Sequence, residues 1–168
     1  VQHMSITDTA SAINAQWDNL ASLGSQITAL NPTDASPALQ LKASQWQNSS
    51  TLLAAMVGDY SLAITDATAS QWADLMANTH ITTIDLTDTA ANLSAQLDTM
   101  GAALPDPANV TVRLHVSDAS HPLTLTAAQL STNADAIGLI QGNYSMAVSA
   151  VLPANASTLA QNSKISSL

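Results

Sequence analysis

Cysteine, glutamate and phenylalanine are all absent from this sequence, and basic side chains number only three. The lack of cysteine excludes disulfides and thiolate-bound metal. The lack of glutamate, together with so few lysines and arginines, leaves few groups for acid–base or phosphoryl chemistry. The sequence also lacks a Gly-x-Ser-x-Gly motif, a His-Glu-x-x-His motif and a phosphate-binding glycine loop. We therefore predict that the chain is not an enzyme and uses no cofactor.

Positive charge is scarce, because Lys42, Arg113 and Lys164 oppose 12 aspartates and the formal net charge is −9. Nucleic acids and anionic membrane surfaces are therefore not expected as partners, since clustered Lys and Arg bind both. The sequence has no apolar run of membrane-spanning length, so we expect no membrane insertion. Charged residues make up only 9% of the chain. Ser, Thr, Asn and Gln must supply most of the polar surface, which favours an exported bacterial surface protein.

Hydrophobic residues make up 46% of the chain, which is enough to build a core. Much of this share is Ala and Leu, so thin and closely packed layers are favoured over one thick globule. Residues 1–4 (Val-Gln-His-Met) resemble a cloning remnant and are left out of the fold prediction.

The second half of the sequence repeats the first. Gly58–Ile64 (GDYSLAI) is matched 84 residues later by Gly142–Val148 (GNYSMAV). Near the start the offset is 80 residues, because Asp8–Ala10 (DTA) corresponds to Asp88–Ala90. The difference falls where Pro105–Asn109 expands a shorter turn between a helix and a strand. Matches along the whole chain, at an offset that changes only once, indicate a repeat protein.

We assign residues 5–84 to repeat 1 and residues 85–168 to repeat 2. The joint between them is the strand-to-helix segment that contains Asp-Thr-Ala. Leu168 corresponds to Ile84, so the sequence stops where another copy would begin. We therefore expect the chain to be an excerpt of a longer array, with neighbouring repeats as its first partners.

Repeat 2 gives the clearest pattern of elements. Ile81–Leu86 alternates like a short strand. Asp88 is in a position to cap the helix that follows, and we give the same role to Asp8 and Asp66. Apolar residues then recur at helical spacing. They are Leu93, Leu97, Met100 and Leu104.

A second strand and helix follow. Val110–Val116 is the most strand-like run in the chain, and Leu123–Leu125 is a brief extended piece. Thr126 is predicted to cap one helix that continues through Ile140 and is ended by Gly142.

Tyr144–Val151 is predicted as the third strand, and Pro153 opens a short helix that runs to about Asn162. Each repeat thus contains three strand–helix steps of about 28 residues. Alternating strands and helices predict an α/β fold with a mainly parallel sheet and right-handed crossovers. We predict about six main strands in a solenoid-like stack of two 84-residue repeats. A closed two-layer α/β sandwich is the alternative.

The tryptophans Trp17, Trp46 and Trp72 all lie in repeat 1, on predicted helices. Their counterparts in repeat 2 are Leu97, Leu130 and Ala156, and two of these are plainly apolar, so core positions are favoured. The alternative is that an exposed tryptophan binds sugar or protein. The matched asparagines, Asn78 and Asn162, stand before strands, where an Asn can adopt the left-handed conformation or bond the local backbone.

His115 and His121 flank a turn that contains Asp118, and these three residues are the candidates for a metal or acid–base site. Their spacing is not that of a zinc site. The many aspartates raise the possibility of calcium, but the sequence has no Asp-rich loop of twelve residues and no Gly-Gly-x-Gly-x-Asp nonapeptide. Helix capping explains the aspartates better.

Leu86–Leu93 (LTDTAANL) resembles the V-x-D-T-A-A-N-I repeats of very large bacterial secreted proteins. Pro122–Gln129 and Asn78–Ile84 are similar to the other two signature segments of such repeats. The resemblance covers nearly the whole chain, twice, and points to type I-secreted, RTX-type adhesins and related surface proteins. It implies no catalytic residue.

Taken together, the repeat and the resemblance predict a non-enzymatic structural or interaction module of a large protein that is secreted or held on the bacterial cell surface. It would act as a stalk, spacer or adhesive array. The alternative is a module that binds glycan or peptide on another surface, through an exposed tryptophan or a groove at the strand ends.

Overall fold

The computed structural model describes residues 3–168. It divides into two compact units. Unit 1 comprises residues 3–67 with Asn78–Ile84, and unit 2 comprises Thr68–Ala77 with Asp85–Leu168. Each unit alternates strands and helices, and the strands pair in parallel. The predicted α/β class and mainly parallel pairing are therefore confirmed.

Unit 1 contains two small groups of parallel strands. Strand β1 pairs with β2, and β3 lies beside β4, which lies beside the beginning of β5. The elements are β1 (Met4–Asp8), α1 (Ala10–Ala15), α2 (Trp17–Leu23), β2 (Ile27–Pro32), β3 (Leu39–Lys42), α3 (Ala43–Asn48), α4 (Ser50–Ala54), β4 (Leu62–Ala67) and the first half of β5 (Ile81–Asp88).

Unit 2 takes up the second half of β5, which lies beside β6, and β6 pairs with β8. A separate group has β9 between β7 and β10. The elements are α5 (Trp72–Met76), α6 (Ala90–Ala102), β6 (Thr111–Val116), β7 (Leu123–Thr126), α7 (Ala127–Thr132), α8 (Ala134–Gly138), β8 (Ile140–Gln141), β9 (Met146–Ser149), α9 (Pro153–Leu159) and β10 (Ile165–Ser167). A turn of 3-10 helix, Ala69–Gln71, precedes α5.

The core of each unit lies between a sheet and the helices that cover it. In unit 1, Leu39 and Leu41 of β3 and Leu62 and Ile64 of β4 are at most 1% exposed. Successive side chains of a strand point to opposite faces, so these alternate residues form one apolar surface. Helix α1 packs on β3 and buries Ile13 against that surface.

Unit 2 repeats this arrangement with α6 over β7. Leu93, Leu97 and Met100 of α6 are at most 1% exposed, as the predicted helical spacing requires. Leu123 and Leu125 supply the strand face. The brief extended piece of the sequence analysis is therefore the full strand β7.

Several predicted elements are corrected by the structure. Ten strands occur in residues 3–168, against about six predicted main strands, because short strands flank the turns. The helix predicted from Thr126 is two helices, since the backbone of Asn133 (φ −105°, ψ 24°) leaves the helical region. Ile140 belongs to strand β8. The third strand is only Met146–Ser149, and α9 stops at Leu159.

Candidate functional site

Aspartates that end or follow a strand accept hydrogen bonds from the first N–H groups of helical segments elsewhere in the sequence. The Ala90 N–H at the start of α6 donates to Asp118 Oδ1 over 2.6 Å. The Ala10 N–H at the start of α1 donates in the same way to Asp34 Oδ1 over 2.5 Å. First-turn N–H groups have no partner within their own helix, so these carboxylates satisfy them. We call Asp34, Asp88 and Asp118 the strand-end aspartates.

Asp88 is the most fully bonded of the three. Its Oδ2 accepts from the Ala69 N–H over 2.9 Å, at the start of the helical segment that leads into α5. Its Oδ1 accepts from the Thr89 N–H over 2.8 Å and from Asn92 Nδ2 over 2.7 Å. With three donors fixed on it, the carboxylate is tied into the fold and is poorly placed to act as a base.

The predicted role of Asp88 as the cap of its own helix is wrong. The cap of α6 is Thr89, whose hydroxyl accepts from the Asn92 N–H, and Thr9 caps α1 in the same manner. Asp8 stands one residue before the helix cap Thr9, as Asp88 stands one residue before Thr89, and so Asp8 is not a cap either. Thr89 stands at the cap position and its hydroxyl accepts from the N–H three residues on. Asp88, one residue earlier, bonds Ala69 at the start of another helical segment as well.

Asp66 was predicted to be a helix cap and is not one. It lies in β4 with a φ of 54°, and its carboxylate forms an exposed ion pair with Lys42 over 3.2 Å. The helical segment after β4 instead begins at Thr68, whose N–H donates to Gln71. An exposed pair of this kind contributes little to stability.

The tryptophans lie mostly in the core. Trp17 and Trp72 are each 1% exposed, so the core interpretation is confirmed for both. The Trp17 Nε1–H donates to Ser49 Oγ over 3.0 Å. Trp46 is half-buried on α3. Two of the three candidate sugar-binding aromatics are thus covered by protein.

The structure brings Asp118 close to His121 only. His121 Nδ1 lies 3.6 Å from Asp118 Oδ2, and the His121 side chain is largely exposed. His115 lies on β6 and is half-buried. Among residues 3–168, no three His or Asp side chains come together as ligands for a metal ion. Asp118 already accepts a hydrogen bond from the Ala90 N–H at the start of α6.

Corresponding residues of the two units also make similar contacts just before β4 and β9. Tyr60 stacks on His80 with ring centroids 4.0 Å apart, and Lys164 Nζ lies 4.3 Å from the centre of the Tyr144 ring. Burial raises the pKa of both tyrosines above the ordinary value. A stacked imidazole in one unit is thus replaced by a cation over the ring in the other.

The predicted backbone role of the matched asparagines is confirmed. Asn78 Oδ1 accepts from the His80 N–H over 2.9 Å, and Asn162 Oδ1 accepts from the Lys164 N–H over 3.0 Å. Each asparagine therefore closes the turn that leads into a strand.

A further pair of matched bonds was missed by the sequence analysis. Gln45 Nε2 donates to Asp18 Oδ1 over 2.8 Å, and Gln129 Nε2 donates to Asp98 Oδ2 over 2.9 Å. The bond from Gln129, with a second one from Asn133, lowers the pKa of Asp98. Asp18 and Asp98 are 80 residues apart and the two glutamines 84 apart, so the recurrence of both pairs was the signal.

Two cavities of unit 2 differ in character. A cavity of about 220 Å³ beside Asp88 is lined by polar groups of Thr68, Ser70, Asn92 and Gln96. A second cavity, of about 260 Å³, is mostly apolar. It lies against the four-residue expansion and is lined by Leu104, Pro105, Pro107, Val110, Val112, Leu139 and Asp135.

No protein-family model, curated protein or solved structure matches this chain. Each helix of residues 3–168 is also too short or too polar to cross a bilayer. The functional proposal therefore rests on the sequence pattern and on the contacts described above.

Proposed function

We propose that this chain is a non-enzymatic structural and interaction module, built as a solenoid-like stack of two 84-residue repeats. It would serve as a stalk, spacer or adhesive array in a large bacterial protein that is secreted or attached to the cell surface. One observation carries the proposal. The bond from the start of a helix to a strand-end aspartate occurs in unit 1 as Ala10 to Asp34 and in unit 2 as Ala90 to Asp118.

The matched bonds extend to the strands. The Leu39 N–H donates to Ser61 O and the Leu123 N–H to Ser145 O, each over 2.9 Å. The Thr33 N–H donates to Asp8 O and the Ser117 N–H to Asp88 O, each over 2.8 Å. Such contacts link each step of the chain to the next one, which supports additive stacking in place of one central core.

The chemistry of the side chains supports a structural role. The three strand-end aspartates accept hydrogen bonds from fixed backbone donors, which makes these three carboxylates poor candidates for catalysis. The surface is polar but weakly charged, as suits an extended protein outside the cell. The resemblance to repeats of type I-secreted, RTX-type adhesins agrees with this location. Calcium is not required for the capping bonds, because the donors are backbone N–H groups.

Lengthening the chain tests the stacking proposal. A chain that carries one more copy of residues 85–168 after Leu168 should unfold at a higher denaturant concentration, because each interface between copies adds to stability. Its maximum dimension in small-angle X-ray scattering should grow by a similar increment with each added copy. A Gly/Ser extension of equal length is the control. An unchanged midpoint with separate unfolding transitions would contradict the proposal.

The polar cavity beside Asp88 supports a second candidate function, the binding of a glycan or peptide. Hydroxyl, amide and carboxylate groups meet there, and these groups recognise sugar hydroxyls. Titration of oligosaccharides into the labelled protein should shift the NMR signals of Thr68, Ser70 and Gln96, and Gln96→Ala should weaken the shifts. Gln16→Ala, at the matching position of repeat 1, is the control. Unmoved signals would rule the candidate out.

A further inference from the structure

The four-residue expansion of repeat 2 forms one wall of the mostly apolar cavity of unit 2, which we call the loop cavity. Its volume is about 260 Å³, and six apolar side chains line it: Leu104, Pro105, Pro107, Val110, Val112 and Leu139. Val112 is 8% exposed, whereas Leu104, Val110 and Leu139 are half-buried and stay within reach of solvent. The loop cavity is thus an apolar depression that a ligand can enter from solvent.

The loop that forms this wall is held by its own hydrogen bonds. The Asn109 and Val110 N–H groups donate to the Asp106 carbonyl oxygen over 2.9 and 3.0 Å. The Ala108 N–H donates to Asp106 Oδ1 over 2.9 Å. The two prolines of the loop restrict its backbone further, because the proline ring fixes φ. A ligand therefore meets a wall that is already formed, so binding costs little conformational entropy.

Unit 1 builds the same step of the fold without these residues. Its turn from helix to strand is the short 3-10 segment Gly24–Gln26. Leu139 corresponds to Ala55, which is only 8% exposed, so unit 2 carries a larger apolar side chain at a more exposed place. Asp135 corresponds to Thr51. The fold of a unit thus requires neither the expansion nor these two side chains, and a role that unit 1 does not share explains them.

One charged side chain belongs to the lining of the loop cavity. It is Asp135, in the first turn of α8, and it is exposed. The chain has only three lysines and arginines, and each contacts another group: Lys42 the Asp66 carboxylate, Arg113 the Asp85 carboxylate and Lys164 the Tyr144 ring. A cation that neutralises the carboxylate at the loop cavity must therefore come from outside the chain.

These features select a ligand with an apolar body and one positive charge. Contact with the six apolar side chains removes the apolar body from water. An ammonium group on that body is attracted to Asp135, whereas a carboxylate is repelled by Asp135 and by the net charge of −9. The volume of about 260 Å³ lies below the roughly 300–1,000 Å³ of pockets for drug-sized ligands, so the ligand is small.

We propose that the loop cavity binds a small hydrophobic amine, with the apolar body against Leu104, Val110 and Leu139 and the ammonium group beside the Asp135 carboxylate. The site lies within one unit, so the proposal does not depend on the stacking function. It also differs from the glycan or peptide candidate, which concerns the polar cavity beside Asp88.

Titration of phenethylamine into methyl-labelled protein, followed by NMR, tests the proposal. Saturable shifts are expected for the methyl signals of Leu104, Val110, Val112 and Leu139, while the signals of the buried Ile64 in unit 1 stay in place. Phenethyl alcohol has the same ring without the charge and should bind about fivefold more weakly, as one exposed ion pair allows. Phenylacetate should bind most weakly of the three.

Two substitutions separate the charged part of the site from the apolar part. Asp135→Asn should abolish the preference for the amine and leave the binding of the alcohol unchanged. Leu139→Ala, which restores the residue of unit 1, should weaken both ligands about tenfold, since part of the apolar wall is lost. Asp106→Asn is the matched control, because it removes a charge from the same loop and keeps an acceptor for the Ala108 N–H. Circular dichroism checks that every variant is folded.

Several results would overturn the proposal. The loop-cavity signals could stay unmoved, or the amine, the alcohol and the carboxylate could bind equally well. If Asp106→Asn weakened the amine as much as Asp135→Asn does, the ligand would be attracted by the net charge of the chain and not by a site. Each of these results leaves the stacking function intact, because lengthening the chain tests that function separately.

Discussion

Helices α2 and α6 meet a second helix through matching positions that are filled in opposite ways. In unit 1, α2 contacts α4 and the large Trp17 faces the small Ser49. In unit 2, α6 contacts α8, where the smaller Leu97 stands at the tryptophan position and the larger Asn133 at the serine position. Unit 1 thus has the larger residue on the first helix and a small residue on the second. In unit 2 the residue on the first helix is smaller and the residue on the second is larger, as the close packing of a protein interior requires.

The polar atoms at this contact are satisfied by different partners. Ser49 is 5% exposed and accepts from the Trp17 ring, whereas Asn133 is 2% exposed and donates to Asp98 Oδ1 over 2.7 Å. Gly101 makes room for the asparagine, because a Cβ there would collide with the Asn133 side chain. Position 101 corresponds to Ala21 in unit 1, where the serine is smaller. The comparison shows that the contact between the helices is kept while its residues change together.

The largest expected effect comes from making unit 1 resemble unit 2 by Trp17→Leu. The change leaves a cavity and removes the donor to Ser49, so the free energy of unfolding should fall by roughly 2–3 kcal/mol. Chemical denaturation measures it. Trp46→Leu is the control, since Trp46 is half-buried and should cost less. Equal losses from the two changes would contradict the proposed packing role.

Gly101→Ala should break the contact in unit 2. The new methyl group collides with Asn133, and overpacking of this kind costs roughly 1–3 kcal/mol. Adding Asn133→Ser, which recreates the Ala–Ser pair of unit 1, should recover part of the loss in a double-mutant cycle. Gly138→Ala is the control, because open space surrounds that position and alanine favours the helix. Strict additivity in the cycle would show that the two positions do not interact.

The strand-end aspartates allow the same test in both units. Asp118→Ala removes the acceptor for the first N–H of α6, and Asp34→Ala removes the acceptor for the first N–H of α1, each with an expected loss of about 0.5–2 kcal/mol. Asp59→Ala, at an exposed loop position, should change little. Thermal and urea unfolding measure the three variants. If only one of the two variants lost stability, the two hydrogen bonds would not be equivalent, as they are proposed to be.

The smallest effect is a pH dependence at Asp98. Bonds from Gln129 and Asn133 hold the pKa of Asp98 below its ordinary value of 3.8 in the folded chain. The unfolded chain therefore binds more protons near that pH, so Asp98 contributes stability above 3.8 that is lost as the pH falls through its folded pKa. Asp98→Asn should flatten the acid limb of the stability profile. An unchanged limb would show that these bonds do not favour the charged form.

Much of the fold could be predicted from the pattern of residues. The helical spacing of Leu93, Leu97 and Met100 and the alternation in Ile81–Leu86 identified α6 and β5, because local periodicity reports which side of an element is buried. The break of the second helix at Asn133 could not be predicted this way. Asn133 donates there to Asp98, a residue 35 positions away, and the matching helix of unit 1 is divided in the same way at Ser49.

The candidate site was predicted less well. Asp88 and Asp118 stood out in the sequence, but their bonds to the starts of other helices depend on which helix starts near which strand end. Spacing within one segment carries no such information. The same reason applies to the metal hypothesis for Asp118, His115 and His121. These residues are close in the sequence, but their three side chains do not come together as metal ligands in the structure.

The α/β class, the parallel pairing and the position of the asparagine turns could be predicted from the sequence, because these features follow from periodicity and local backbone chemistry. It also contains the offsets that match one half of the chain to the other. The donor that each aspartate accepts from, and the apolar residues that stay exposed to solvent, were set by the three-dimensional packing. Those outcomes depend on contacts between segments far apart in the chain. A local sequence pattern does not identify which distant segment a residue will contact.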